Sequence, residues 1–137
     1  MTASEALAQQ CWPRDTLSAT FPAQSGLLMT FSKPMPYPAI WALQQHFHAE
    51  RLAGTRSDTL ILLEHLPVYT AGRRTKPGHI KPECTSADIP IETVNRGGSV
   101  TYHGPGQLIA YPIFALMHHA RGVKAYVRML EEVLIRT

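Results

Sequence analysis

Asn95-Arg96-Gly97-Gly98-Ser99-Val100-Thr101-Tyr102-His103-Gly104-Pro105-Gly106-Gln107 is the stretch on which the reading of this chain turns. Gly97 and Gly98 permit positive φ and place no side chain in the way of an approaching ligand. Residues 99–103 predict a strand, with Val100 and Tyr102 on one face and Ser99, Thr101 and His103 on the other. Gly104-Pro105-Gly106-Gln107 suits a type II turn: Pro presets the first central φ and Gly takes the positive one. Residues 108–113 resume an extended apolar run. Together these pieces predict a hairpin that brings a glycine-lined backbone and one titratable ring to the same place. Such a place suits a cleft that grips its ligand through main-chain N–H groups.

Any one of these glycines, taken alone, is explained by a turn. The combination argues for more, because Arg96-Gly97-Gly98 opens the strand and His103 closes it. The motif is not a phosphate-binding P-loop, since no Gly-Lys-Ser/Thr follows, and the GxGxxG spacing of a dinucleotide fingerprint is absent. His103 is the candidate polar site residue, against the alternative of a structural His bonded to nearby backbone.

Upstream, residues 27–31 predict a first strand. Lys33-Pro34-Met35-Pro36-Tyr37-Pro38 forbids regular structure until Pro38, which suits a helix N-terminus. Ile40, Leu43 and Phe47 then fall at helical spacing, with Trp41 and Leu52 flanking the stripe and Gly54 as the stop. Residues 59–64 form an apolar run expected to be a strand buried on both faces. Residues 75–90 read as a long surface loop, and residues 91–95 as a strand leading into the glycine motif. Residues 122–136 place Val123, Tyr126, Val127, Leu130, Val133 and Leu134 at helical spacing, a stripe expected to face a sheet. No stop signal follows before Thr137, so the helix is expected to belong to a longer segment. The order of elements predicts an α/β or α+β domain. Residues 1–25 read as a loose extension and residues 26–137 as one domain or most of one.

The 137 residues are 45% hydrophobic and 17% charged, which describes a globular chain. No apolar run nears the ~18 residues of a membrane span. The net charge of +3 favours an acidic partner but makes no case for nucleic acid, because no basic cluster exceeds Arg73-Arg74 with Lys76. Cys11 and Cys84 stand far apart with no CxxC, so the default compartment is reducing and intracellular. Neither has a neighbouring base in sequence to activate it. His46 and His48 point to different faces of a helix, and His118-His119 are adjacent, so neither pair makes a metal site.

Further blocks accompany the glycine motif. Glu64-His65-Leu66-Pro67-Val68-Tyr69-Thr70-Ala71-Gly72-Arg73 stands upstream, Gln44, Gln45 and His48 lie in the first helix, and residues 107–112 follow the turn. From about Tyr37 onward, this order of blocks resembles the lipoyl(octanoyl) transferase family. The resemblance implies a mixed β-sheet with packed helices, the fold shared with biotin and lipoate protein ligases, here expected to be incomplete at its C-terminal side. It implies transfer of an octanoyl group from octanoyl-acyl carrier protein to a lysine of a lipoyl domain. The acceptors are the 2-oxoacid dehydrogenase complexes and the glycine cleavage H protein. Neither metal nor nucleotide is required, and the setting is cytoplasmic, or mitochondrial in a eukaryote. It further implies that Arg96, Gly97, Gly98, Ser99, Val100, Thr101, Tyr102 and His103 line the acyl-substrate site. Arg73 joins them as a contact to the carrier's arm, or else pairs with a structural carboxylate. The family's nucleophilic Cys and its Lys are expected beyond Thr137; Cys11, Cys84 and Lys124 do not stand in their positions. No catalytic residue is therefore assigned within the 137 residues, and the chain is expected to be an inactive fragment. A ligase that adenylates a free acid, and a non-catalytic acyl-binding module, remain as alternatives.

Overall fold

The computed structural model describes residues 26–81, 88–120 and 122–137. The extension at 1–25, with Cys11, and the loop segment holding Cys84 lie outside them. The elements run β1 (Leu27–Thr30), α1 (Tyr37–Leu52), β2 (Thr59–Leu63), β3 (Val68–Ala71), β4 (Ile91–Thr93), β5 (Val100–His103), β6 (Ile109–Ile113), α2 (Leu116–His119) and α3 (Val123–Arg136). They form two three-stranded sheets, ordered β1-β2-β6 and β4-β3-β5. Each sheet holds one parallel and one antiparallel pairing, so both are mixed.

α1 starts where Pro38 takes the first turn, as expected from a residue with no N–H to lose. Ile40, Leu43 and Phe47 are buried and pack with Met29, Ile61 and Leu63 into the main core. Leu52 departs from the expected stripe and is 76% exposed. Five residues beyond Phe47, at ~100° each, carry it far round the helix. The start of α1 serves a second, smaller core, where Tyr37 packs with Val68 and Val94, and Trp41 leans on them. Burial of each large apolar side chain contributes ~1.5–3 kcal/mol, so α1 is the element that ties the two sheets together.

β2 corrects the expectation of burial on both faces. Thr59, Ile61 and Leu63 are buried, while Leu60 and Leu62 on the other face are only partly covered. β3 is a strand that periodicity had not marked out.

The glycine-motif strand and its successor do not pair with each other as a hairpin. β5 pairs with β3, and β6 pairs with β2, in separate sheets. The reason is visible in the register. β2 runs into β3 while β5 runs into β6, and the two chains are antiparallel throughout: Leu63 faces Ile109 and Val68 faces His103. They form one long ribbon, interrupted where Glu64–Pro67 meets the turn at 104–107. The turn itself is as expected, with Gly106 at φ 84 and Gln107 N–H donating to the Gly104 carbonyl at 3.2 Å. The Glu64 carboxylate accepts from the Gly106 N–H at 2.9 Å and holds the bend.

α3 forms over the expected residues, but its apolar stripe does not lie on a sheet. Val123, Val127, Val133 and Leu134 are exposed, and the main contact of α3 is the single turn of α2. The Thr137 hydroxyl donates to the Val133 carbonyl at 2.9 Å. No helix of the described residues is long and apolar enough to cross a membrane.

Candidate functional site

The glycine motif is held by the backbone of the block 72–74. Gly72 N–H donates to the Ser99 carbonyl, Arg73 N–H to Arg96 and Arg74 N–H to Gly98, each at 3.0 Å. This close approach requires glycine at position 72. A Cβ there would stand 2.7 Å from the Gly98 carbonyl oxygen and 2.9 Å from that of Gly97. Gly98 has φ +81, a conformation that side chains rarely adopt. Gly97 differs from both, because its φ is ordinary and a Cβ would meet nothing within 4 Å. The fold gives no reason for glycine there. The N–H groups of Gly97 and Gly98 donate to no backbone carbonyl among the described residues.

β5 alternates as its sequence predicts. Tyr102 packs on Tyr69, ring centroids 5.3 Å apart, on the outer face with Val100. Thr101 and His103 share the other face with Thr70 and Val68; His103 stacks on Tyr37 there, while Thr101 is exposed. The residues singled out as one site therefore divide between two faces. Thr101 and His103 line the inner face, whereas Val100 and Tyr102 stand on the other side of the strand. Tyr102 also lies over Gly104, where a Cβ would collide with its ring.

Arg96 turns away from solvent. Its guanidinium donates to the Thr70 carbonyl at 2.7 Å, to Thr70 Oγ1 at 2.8 and 3.2 Å, and to the Gly97 carbonyl at 2.9 Å. Arg73 points outward, exposed, with no side-chain partner among the described residues. Ser99 Oγ lies 2.5 Å from His79 Nδ1. His79 was not singled out by sequence, since nothing local ties it to a residue 20 positions away.

His103 sits in a cluster of rings. It is stacked on Tyr37 at 6.3 Å and tilted against His65 at 5.8 Å. Its Nδ1 is 2.8 Å from Gln107 Oε1. His65 is fully buried at the crossing of the ribbon. Its Nδ1–H donates to the Met35 carbonyl at 3.0 Å, so its Nε2 accepts the Tyr111 hydroxyl at 2.8 Å. Burial pushes the His65 pKa down, opposed by the Met35 bond and reinforced by His103. Burial pushes the Tyr111 phenol up, and Tyr37 adds to the effect. Tyr37 itself is raised by burial, with Arg96 opposing and Glu92 adding. His65 is thus structural, and His103 is the ring at the open edge.

A cavity of about 730 Å³ lies at the other end of β2, lined in part by Arg51, Asp58, Phe114 and His119. Its charged groups satisfy one another. Asp58 accepts from Arg51 Nε at 2.6 Å, from the Ala115 N–H at 2.8 Å and from His119 Nε2. The glycine motif, with N–H groups that no backbone carbonyl takes among the described residues and open space around Gly97, is the better candidate. Among the described residues no group of three or more His, Cys, Asp or Glu side chains is placed to hold a metal ion.

Comparison with known proteins places the chain in a family. Residues 36–137 match the lipoyl protein ligase A/B catalytic domain. An octanoyltransferase of Thermobifida fusca is 52% identical over 103 residues, covering 75% of this chain and 42% of the relative. One of Chloroflexus aurantiacus is 47% identical over 103 residues, 73% of this chain and 46% of the relative. One of Mycobacterium leprae is 49% identical over 100 residues, 73% and 41% respectively. The chain, ending at Thr137, thus spans less than half the length of these curated relatives. Glycine motif, mixed sheets and matched span converge: the chain belongs to the lipoyl protein ligase A/B catalytic domain family.

Proposed function

We propose that this chain forms the acyl-substrate site of an octanoyltransferase, which moves an octanoyl group from octanoyl-acyl carrier protein to a lysine of lipoyl domains. Those domains belong to 2-oxoacid dehydrogenase complexes and the glycine cleavage H protein, in the cytoplasm of a bacterium. The single observation that carries the reading is Gly97. It has ordinary backbone, open space around its missing Cβ and an N–H without a backbone acceptor among the described residues. A residue so placed is explained by what approaches it from outside. Gly98 and Gly97 offer N–H groups to a carbonyl or an anionic oxygen, the arrangement that stabilises developing negative charge in acyl transfer. Thr101 and His103 supply polar groups on the same strand, and the half-buried Trp41 supplies apolar surface. Arg73, exposed and without a side-chain partner among the described residues, is the cation that meets the phosphate of a carrier arm.

In this reading the reaction passes through a Cys acyl-enzyme, and the acceptor lysine then attacks the thioester. No residue of this chain is assigned the nucleophile's role. Val100 and Tyr102 hold the strand from its far face and do not touch the ligand. The experiment is to add octanoyl-loaded carrier protein and follow the amide resonances of Gly97 and Gly98.

A further inference from the structure

Arg96 carries five N–H donors and no acceptor. Four of its donor contacts end on Thr70 and Gly97. It therefore has no bidentate face left for a ligand phosphate or carboxylate. Thr70 is fully buried, and its hydroxyl oxygen takes two of those contacts, from Nε and Nη2. A hydroxyl has two lone pairs and one proton. With both lone pairs facing the guanidinium, the proton must point to an acceptor. Two stand at 3.5 Å, the Thr101 carbonyl and His103 Nε2. A proton on His103 Nε2 would aim a third donor at an oxygen with no lone pair to spare.

We propose that Arg96, acting through the Thr70 hydroxyl, fixes the tautomer of His103: the N–H is on Nδ1 and the lone pair on Nε2. Arg96 and Thr70 are positioning residues. The consequence falls on the open side of the ring. The Nδ1–H donates to Oε1 of Gln107, an exposed side chain. A ligand oxygen displaces that amide at little cost and takes over the donor. His103 then serves as a hydrogen-bond donor towards a thioester carbonyl rather than as a base. The ligand named here rests on the acyl-site reading; the tautomer does not.

The test is ¹⁵N–¹H correlation of the histidine rings in the 137-residue chain at about pH 8.5, above the ordinary imidazole pKa of about 6.5. The parent shows His103 as a single Nδ1–H tautomer. Thr70→Ser keeps the hydroxyl and keeps the pattern. Thr70→Val keeps the shape, removes the hydroxyl and moves the ring towards the Nε2–H form that predominates in unstructured peptides. Gln107→Leu leaves the parent tautomer, because the Thr70 side sets it. His65, held by Met35 and Tyr111, is the internal control and does not change. The proposal is overturned if Thr70→Val leaves the His103 tautomer intact, or if Gln107→Leu alone converts it. It is also overturned if Thr70→Ser behaves as Thr70→Val does, or if His65 changes as well, since either result makes Thr70 a packing residue. A parent tautomer as stated, with no response to octanoyl carrier, contradicts the acyl reading alone.

Discussion

Asp58→Asn tests the other end of the molecule, where one carboxylate ahead of β2 ties α1 to α2. It accepts from Arg51 at the end of α1, from the backbone of Ala115 ahead of α2, and from His119 at the end of α2. Its side chain is 16% exposed. Burial alone would raise its pKa. The bonds from His119, Ala115 and Arg51 outweigh burial and bring it from an ordinary 3.8 down to about 2. At about 1.4 kcal/mol per pKa unit, that gap amounts to about 2 kcal/mol of folding stability. The group's pKa is depressed in the fold, so the contribution is whole above about pH 4 and is lost as the pH falls towards 2. Asn keeps the shape and loses the charge, leaving Arg51 with a neutral partner. Urea denaturation at pH 7 should show Asp58→Asn less stable by about 2 kcal/mol, with the gap closing as the pH falls towards 2. Equal midpoints at pH 7, or a gap that persists unchanged at pH 2, would refute the reasoning.

Two further outcomes follow from the site. The depressed pKa of His65 means the folded state resists its protonation; its contribution is present above about pH 6.5 and declines below it. Between pH 7.5 and 5, the parent should therefore lose stability to urea more steeply than His65→Phe. Gly72→Ala and Gly97→Val should separate fold from site. The first meets backbone at 2.7 Å and should cost about 1–3 kcal/mol in a melt. The second should melt near the parent yet weaken binding of octanoyl carrier at least about tenfold, or about 1.4 kcal/mol.

Much of this was legible in the chain. Pro38, Ile40, Leu43 and Phe47 announced α1, and Gly104-Pro105-Gly106-Gln107 announced the turn. The alternation of Thr101 and His103 against Tyr102 was also legible. All of these are local properties, set by φ preferences and by the period of helix or strand. The misread hairpin was not local. The run at 108–113 has a strand's character, but only the ribbon with β2 and β3 decides which sheet it enters. Arg96 illustrates the same limit. Its charge and its place beside two glycines suggest a ligand, whereas three of its four donor contacts end on Thr70, 26 residues upstream. Thr70 gave no signal because a threonine in a strand needs no special reason. The α3 stripe was readable as amphipathic, but a stripe does not say what lies beneath it.

The central claim is that the Gly97–Gly98 backbone and the open side of His103 receive an acyl thioester. The most direct measurement is an amide and imidazole shift map of the 137-residue chain. It is titrated with octanoyl-loaded carrier protein and, separately, with the same carrier bearing a free thiol. The account predicts that the loaded carrier moves the Gly97 and Gly98 amides and the His103 ring, and that the unloaded carrier leaves these three largely in place while still moving Arg73. Shifts confined to Arg51, Asp58 and His119 around the cavity at the far end of β2, with Gly97 and Gly98 unmoved, would contradict it.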